Sequence, residues 1–245
     1  MSLAPVKYES PPLQPIERRT LNETAYERLR KALVSGRLEP GGVLTLRGLA
    51  GALGTSVMPV RDAVGRLVAE QALELLPNRG IRIPQLSPEQ AEEVWRLRID
   101  LEGEAAGLAA TRADSTELAE IERLRDAVED HARRGGLHPA LEANDAFQFA
   151  VYRAAKTRVL IRLIETLRMQ SVPHCTAALR RLLSERPPFL EETLRWHDRL
   201  VAALRRRDAA RAKEAKRRDL ESFRDWVERC AADPLPGLRQ RRMRH

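Results

Sequence analysis

The sequence is poor in aromatic residues, cysteines and long apolar runs, and each scarcity excludes a class of protein. Aromatic residues make up 4% of the 245 residues, so a core must be built mainly from Leu, Val, Ile and Ala. Cys175 and Cys230 are too few and too far apart for a disulfide framework or a zinc knuckle. No segment approaches the roughly 20 apolar residues that span a bilayer, and the first twenty residues lack a signal-peptide core. We therefore expect a reduced, cytoplasmic protein with no membrane partner.

Catalytic motifs are missing as well. The sequence has no GxSxG, HExxH or glycine-rich phosphate loop, so we expect neither an enzyme nor a bound cofactor. His174 beside Cys175 lies in a leucine-rich segment, where packing is the simpler interpretation than a metal or thiol site. Trp95, Trp196 and Trp226 have apolar neighbours at helical spacing and are expected to anchor a core or an interface.

What the sequence does have is positive charge at both ends. The net charge of +8 divides into +4 over residues 1–88, −3 over 89–204 and +7 over 205–245. Basic surface attracts phosphate whatever its base sequence, so the N-terminal excess favours nucleic-acid binding. A length of 245 residues and 43% hydrophobic content suffice for two modest globular domains.

A short helix, a tight turn and a second helix follow one another in the N-terminal region. Thr45 is placed to cap a helix whose apolar residues share one face, and Gly54 permits the left-handed turn that follows it. Ser56 is placed to cap a second helix over residues 57–71, where apolar residues recur three and four positions apart. This order predicts a helix-turn-helix.

A small β-hairpin is predicted immediately after the second helix. Residues 73–76 and 81–83 are strand-like, and Pro-Asn-Arg-Gly between them forms the turn, with Arg79 at its tip. A helix-turn-helix followed by such a hairpin is a winged helix-turn-helix, which places its second helix in the major groove of DNA.

The candidate DNA-binding residues lie at the start of the first helix, along the second helix and its N-cap, and in the wing. Ser56 can bond a phosphate or a base, and Met58 can pack against a thymine methyl group. Arg47, Arg61 and Arg79 are expected to supply most of the charge contacts, although any one of them alone could be ordinary solvated surface. The full candidate set is Thr45, Arg47, Ser56, Val57, Met58, Pro59, Arg61, Arg66, Arg79 and Gly80.

Several motifs resemble those of the GntR family of bacterial transcription regulators. The motifs of the first domain are Tyr-Glu-Arg-Leu from residue 26, Ser-Gly-Arg-Leu-Glu-Pro-Gly from residue 35 and Pro-Val-Arg-Asp-Ala-Val from residue 59. Downstream, Leu97-Arg98-x-x-Leu101-Glu102, Asn144-x-x-Phe147-Gln148 and Trp196-His197 resemble the all-helical FCD effector domain of the FadR subfamily. The resemblance spans residues 22 to 230.

The resemblance implies a homodimer on a pseudo-palindromic operator and a small-molecule effector. It also implies DNA contacts, which carry over to Arg47, Ser56, Met58, Pro59, Arg61 and Gly80. Many relatives have arginine where this chain has Val57, so the operator sequence is expected to differ from the one usual in the family.

The domain organisation follows from prolines and helical periodicity. We expect a disordered arm over residues 1–20, the winged helix-turn-helix domain over 21–84, a linker over 85–88, a helical effector and dimerisation domain over 89–232, and a basic tail over 233–245. The second domain is predicted as an antiparallel helix bundle. Its candidate helices are residues 88–112, 115–134, 138–155, 157–183 with a possible break at Pro173, 188–206 and 208–231. The fold class is therefore mainly α, with one small β-wing.

The bundle carries a candidate effector site. Metal-binding relatives have Asp, His, His and His at the positions that match Asn144, Gln148, His197 and Asp219. Carboxamides are poor ligands for transition metals, so we expect no tight metal site and leave His197 and Asp219 as weak candidates. The same four residues, with Arg98 as a clamp for a carboxylate, are predicted to bind a small organic acid.

Simpler interpretations of these residues remain open. Arg98 could pair with Glu102 on the surface, and His197 could be a satisfied buried histidine. The leading functional hypothesis is an effector-responsive repressor. One alternative is a DNA-binding protein whose pocket has decayed, so that it acts as an architectural protein, or whose pocket holds a metal. A more remote alternative is a metabolic enzyme with a DNA-binding module.

Overall fold

The computed structural model describes residues 21–35, 37–38, 40–78, 80–185 and 187–232. Over these residues it contains nine helices and one two-stranded antiparallel sheet. The predicted arm, the predicted basic tail and Arg79 lie outside the described residues. None of the described helices is long and apolar enough to cross a membrane.

The N-terminal elements form the predicted winged helix-turn-helix. They are α1 (Leu21–Val34), α2 (Leu46–Leu53), α3 (Val57–Ala69), β1 (Glu74–Leu75) and β2 (Ile81–Arg82). The strands pair with Glu74 opposite Arg82 and Leu75 opposite Ile81. An additional antiparallel bridge joins Leu44 to Ile81, which sequence periodicity did not reveal because a single bridge has no alternating pattern.

The turn chemistry of this domain agrees with the prediction. The Thr45 hydroxyl oxygen accepts a hydrogen bond from the Gly48 amide at 3.0 Å and so caps α2. Gly54 ends α2 with φ of +65°, in the left-handed region that glycine tolerates. The apolar face of α3, including Val60, Val64 and Leu67, is buried against α1.

Six helices make up the second domain, and their bounds lie within about two residues of the prediction. They are α4 (Pro88–Arg112), α5 (Ser115–Arg133), α6 (Leu137–Ala154), α7 (Arg158–Glu185), α8 (Pro187–Arg205) and α9 (Ala209–Ala232). Ser87 and Asp114 each form a reciprocal capping box, at the starts of α4 and α5. These caps explain why both helix starts were readable from the sequence.

Helix α7 differs from the expectation of a possible break at Pro173. It continues without interruption through that residue to Glu185. Met169 and Val172 on one side of the proline pack into the core of the first domain, whereas Cys175 and Leu179 on the other side pack within the bundle. Packing on both sides offsets the hydrogen bond that a proline removes from a helix interior.

The two domains share a packed boundary. Besides Met169 and Val172 in the common apolar cluster, the His138 ring Nδ1 lies 2.7 Å from the Ser35 carbonyl oxygen. Lys31 forms an ion pair with Glu142 across the same boundary, at 2.8 Å. The end of α1 is therefore held against α6 and α7.

Candidate DNA-binding surface and effector pocket

The first turn of α3 presents unsatisfied polar groups to solvent. Ser56 occupies the N-cap position in an extended conformation, but its side chain makes no capping hydrogen bond, which corrects the predicted cap. Its exposed hydroxyl group and the free amides of the first helical turn are therefore available to an external acceptor. Anions bind readily at such helix N-termini because the amides and the helix dipole both favour negative charge.

The other residues of this turn differ in their exposure. Met58 is 61% exposed, so its side chain is accessible to a partner. Val57 is half-buried, and Pro59 is buried. Because Pro59 is buried and has no main-chain N–H, we expect it to shape the first turn of α3 rather than to bond phosphate.

Arginines near the helix-turn-helix fall into two groups. Arg47 and Arg61 are exposed and have no ion pair with any described residue, so both charges remain available to phosphate. Arg66 differs, because its guanidinium lies 3.7 Å from the centroid of the Tyr26 ring and pairs with Glu70 at 3.3 Å. Arg66 thus stabilises the domain and has less freedom to bind DNA than the sequence suggested.

Gly80 has a steric role at the base of the wing. It is buried, and a Cβ atom added there would lie 2.9 Å from the Val43 side chain. A larger residue at this position would require the Val43 side chain to move. Arg79, the predicted tip residue, lies outside the described residues.

An interior pocket of the bundle collects all five predicted effector residues. Arg98, Asn144, Gln148, His197 and Asp219 line a single cavity that is partly open to solvent. Apolar residues from all three apolar clusters of the chain complete the lining. Ligand pockets commonly combine such an apolar lining with a few convergent polar groups.

Lys216 is the centre of the polar side of this pocket, and the sequence analysis missed it. Its buried ammonium group donates to Gln148 Oε1 at 2.8 Å and to Asp219 Oδ2 at 2.9 Å. Glu102 Oε2 lies 3.7 Å away. The available signal was the spacing of Lys216 three residues before Asp219, which places both side chains on one helical face.

Arg98 also belongs to this buried network. Its Nε donates to Glu102 at 2.7 Å and its Nη1 to Ser171 at 3.1 Å, with 2% and 0% of the two charged side chains exposed. The sequence left two interpretations of Arg98, a clamp for a ligand carboxylate or an ion pair with Glu102 on the surface. The pair exists, but it lies in the interior rather than on the surface. Arg98 Nη2 makes no hydrogen bond with any described residue.

Two further residues complete the network around Glu102. The Tyr152 hydroxyl donates to Glu102, and Arg168 Nη1 lies 3.7 Å from the same carboxylate. Burial alone would raise the pKa of Glu102, but Arg98, Lys216 and Arg168 outweigh it and lower the pKa to about 2. Glu102 is therefore ionised at neutral pH, although it is fully buried.

His197 is buried without being fully satisfied. Its Nε2 lies 3.3 Å from Gln148 Nε2 and 3.6 Å from Asp219 Oδ1, whereas Nδ1 has no partner among the described residues. The histidine is buried, as the simple interpretation requires, but the described residues satisfy only its Nε2. Burial lowers the pKa of His197 to about 4, against the opposing effect of Asp219, so the ring is neutral at neutral pH.

These residues do not fit a transition-metal ion. The described residues contain no group of three or more His, Cys, Asp and Glu side chains able to hold one. Asn144 and Gln148 contribute neutral carboxamides, and the ammonium of Lys216 already neutralises Asp219. A divalent ion beside Asp219 would meet that positive charge.

The remaining sequence candidates are structural. Cys175 is buried, and burial raises the pKa of its thiol to about 11, so it is not a reactive thiolate. Trp95 is buried, and the Trp226 indole donates to Glu192 at 3.0 Å. Trp196 is half-buried, and its indole nitrogen has no partner among the described residues.

A winged helix-turn-helix attached to a helical bundle with an interior pocket defines a class of DNA-binding regulators. Comparison with known families agrees: the model described as "Bacterial regulatory proteins, gntR family" matches residues 21–83, and the FCD domain matches residues 93–222. The chain belongs to the GntR family of transcription regulators and carries an FCD domain. It is a DNA-binding regulator and not an enzyme.

Individual relatives support this assignment. The HTH-type transcriptional regulator McbR of Escherichia coli is 30% identical over 180 residues, which cover 74% of this chain and 80% of that protein. The E. coli repressor GlaR is 25% identical, covering 80% and 90% of the two chains. The solved structure of E. coli McbR/YncC superposes with a TM-score of 0.79 at 27% identity, covering 86% of this chain and 99% of that one.

Proposed function

We propose that this regulator is a repressor whose operator affinity is controlled by a small organic acid bound in the bundle pocket. One observation carries the proposal. Val34, the last residue of α1 in the DNA-binding domain, lines the same cavity as Arg98 and His197. An occupant of the cavity would therefore touch both domains at once.

The mechanism is a shift between two arrangements of the domains. A ligand that binds one arrangement more tightly raises its population, and the affinity for the operator changes by the same coupling free energy. Val172 is the second contact in this coupling, because it lines the cavity and also packs into the core of the DNA-binding domain. Couplings of this kind typically amount to about 1–3 kcal/mol.

The functional unit is proposed to be a homodimer in the cytoplasm, because paired winged helices match the two half-sites of a palindromic operator. Size-exclusion chromatography with light scattering is expected to give a dimer at micromolar concentration. A monomer at that concentration would contradict the two-half-site model, although DNA binding by single domains would still be possible.

DNA binding is tested by removing one unpaired arginine. Arg61→Ala is expected to weaken operator binding by about 1–3 kcal/mol and to reduce the salt dependence of binding, since Arg61 has no ion pair to replace. Arg134→Ala is the matched control, because Arg134 is an exposed bundle residue paired with Asp130. Fluorescence anisotropy with a labelled operator measures both variants. Equal losses in the two variants would reject the role of α3 in recognition.

Ligand control is tested by thermal shift against small organic acids and divalent metals, with and without chelator. An organic acid that raises the melting temperature in the presence of chelator, and that changes operator affinity, is the expected result. Stabilisation by metal alone would reject the proposal that no metal cofactor is needed. If no compound changes the melting temperature, the alternative of a DNA-binding protein with a decayed pocket is favoured.

A further inference from the structure

The pocket has a polar end and an apolar end. Along α9, Lys216 and Asp219 are followed one turn later by Leu220 and then by Phe223, and all four line the pocket. At about 1.5 Å per residue, Lys216 and Phe223 lie about 10 Å apart along the helix. The lining changes from charged to apolar over that distance.

Helices α6, α7 and α8 repeat the same change in alternating directions. Along α7 the lining runs from polar to apolar, from Arg168 to Leu183. Along α8 it runs from apolar to polar, from Leu190 to His197. The polar ends meet through Gln148 of α6, which bonds Lys216 and lies next to His197. The change from charged to apolar is therefore common to α6, α7, α8 and α9, which supply most of the lining.

A cluster of four aromatic rings lies at the apolar end, whereas Phe147, Phe149 and Tyr152 lie beside the polar network. The chain has ten aromatic residues, and four of them, Trp95, Phe189, Phe223 and Trp226, contact one another there with ring centroids 5.6 to 6.3 Å apart. Phe189 and Phe223 line the cavity directly. Such a wall offers van der Waals contact and no hydrogen bonds to a ligand with many hydroxyl groups.

Charge at the polar end is balanced among the protein's own groups. The cations are Arg98, Arg168 and Lys216, and the anions are Glu102, Asp145 and Asp219. Each charge has a partner within 4.0 Å. A ligand with two carboxylates would add two uncompensated negative charges to this low-dielectric site, whereas a single carboxylate adds one.

Unpartnered N–H groups at the polar end can receive that single carboxylate. Gln148 Oε1 accepts from Lys216, which leaves Nε2 as a donor; in the tautomer in which His197 Nε2 accepts from it, the ring proton lies on Nδ1, which has no partner among the described residues. Arg98 Nη2 is the second donor without a partner among the described residues. Of the two, His197 Nδ1 is the fully buried donor, and leaving it without an acceptor is unfavourable, so a ligand oxygen placed there would remove that penalty.

We infer that the pocket takes a monocarboxylate with an apolar body, either a short alkyl chain or one aromatic ring, in preference to a dicarboxylate or a sugar acid. The carboxylate lies at the polar end beside Arg98 and His197, and the apolar body lies against Leu183, Phe189 and Phe223. This inference rests on the proposed effector function and specifies its ligand class.

The test is a homologous series measured by isothermal titration with the full-length protein. Dissociation constants for butanoate, hexanoate and octanoate are expected to fall about fourfold per added methylene, because each buried CH₂ contributes about 0.8 kcal/mol. Octanedioate and gluconate are expected to bind at least about tenfold more weakly than octanoate. 3-Phenylpropanoate is expected to bind as a ring-bearing member of the preferred class.

A variant at the apolar end shows where the chain lies. Leu183→Ser is expected to flatten the dependence on chain length, so that octanoate loses about tenfold in affinity while butanoate changes little. Val159→Ser is the control, since Val159 is 75% exposed and lies outside the pocket lining. Circular dichroism confirms that both variants fold.

Each alternative outcome has a distinct meaning. A flat series, tighter binding of octanedioate or gluconate, or no binding by any monocarboxylate would overturn the ligand class. If a dicarboxylate or sugar acid binds and alters operator affinity, the proposed effector function still stands. Loss of operator binding in the Arg61→Ala comparison tests the DNA-binding function separately, because it requires no ligand.

Discussion

At the scale of single residues, the buried ammonium of Lys216 connects three other buried side chains of the bundle. It bonds Gln148 and Asp219 and lies near Glu102, and all four side chains are buried. A buried pair adds little net stability relative to an apolar replacement of the whole group, but removing one member leaves the other charges uncompensated. The site is therefore more sensitive to the loss of Lys216 than to any surface charge.

Lys216→Met is expected to lower the free energy of unfolding by about 3–5 kcal/mol, because Asp219 and Glu102 lose their nearest shared cation. Lys213→Met is the matched control, since its exposed pair with Glu104 is worth no more than about 1 kcal/mol. Urea unfolding followed by circular dichroism measures both. Similar losses in the two variants would show that the buried network relaxes once its cation is gone.

His197 gives the stability of the protein a specific dependence on pH. Burial lowers its pKa from 6.5 to about 4, so between these values the unfolded chain binds a proton that the folded protein rejects. The contribution of neutral His197 to the free energy of unfolding is therefore fully present above pH 6.5. It is lost as the pH falls toward 4, and the loss amounts to about 3 kcal/mol in total. Urea unfolding at several pH values measures this slope.

His197→Gln is expected to reduce that slope between pH 6.5 and 4, whereas His131→Gln, outside the pocket lining, is expected to leave it unchanged. Glu102, with a pKa of about 2, contributes in the same direction only at lower pH, as the pH falls from 4.5 toward 2. An unchanged slope in His197→Gln would mean that other groups control acid stability in this range.

The structural roles predicted from the sequence were most reliable for residues whose partners lie a few positions away in the chain. Thr45, Gly54 and Ser87 were assigned from neighbours a few positions away, and the structure places them as predicted. Lys216 and Tyr152 were missed because Gln148 and Glu102, which they bond, lie on other helices; the i,i+3 spacing of Lys216 and Asp219 was the one local signal for the lysine. Ser56 shows the limit of local rules, since its position was predicted correctly but its hydrogen bond was not.

At the scale of elements, Gly54 tests how strongly the turn between α2 and α3 depends on its backbone. Gly54→Ala is expected to destabilise the protein by about 1 kcal/mol, because its φ of +65° disfavours a side chain although no atom lies within 4 Å of the new Cβ. Gly65→Ala, inside α3 with similarly open space, is expected to stabilise by about 0.5–1 kcal/mol. Thermal unfolding distinguishes the opposite signs, and equal signs would contradict the role of the turn.

Helix α7 shows why elements are harder to predict than caps. Its sequence contains Pro173, which predicts a break when the helix is considered alone. The continuous helix depends on contacts that Met169 makes with one domain and Leu179 with the other. The bounds of α4 and α5 were predictable because Ser87 and Asp114 cap them locally.

At the scale of the whole molecule, the boundary between the domains is expected to bear directly on stability. Met169→Ala should lower the free energy of unfolding by about 2–5 kcal/mol, because Met169 is buried where α7 meets the DNA-binding core. Met58→Ala is the matched control, since Met58 is exposed, and should change stability by less than about 0.5 kcal/mol.

Hydrogen exchange adds spatial detail to that comparison. In Met169→Ala, amide protection is expected to fall in α1 while α4 and α9 retain theirs, because α1 is the element held against α7. Uniform loss of protection across the chain would instead indicate that the two domains unfold as one unit.

The position of Val34 in the pocket wall limits how this protein can be recombined. Evolution and engineering often exchange one DNA-binding domain for another while keeping the sensor, which treats the two as interchangeable modules. Here a sensor taken from residue 88 onward would leave behind part of its own cavity, since α1 supplies a wall. A working hybrid would need to keep the end of α1 with its bundle, so the natural unit of exchange extends across the boundary between the domains.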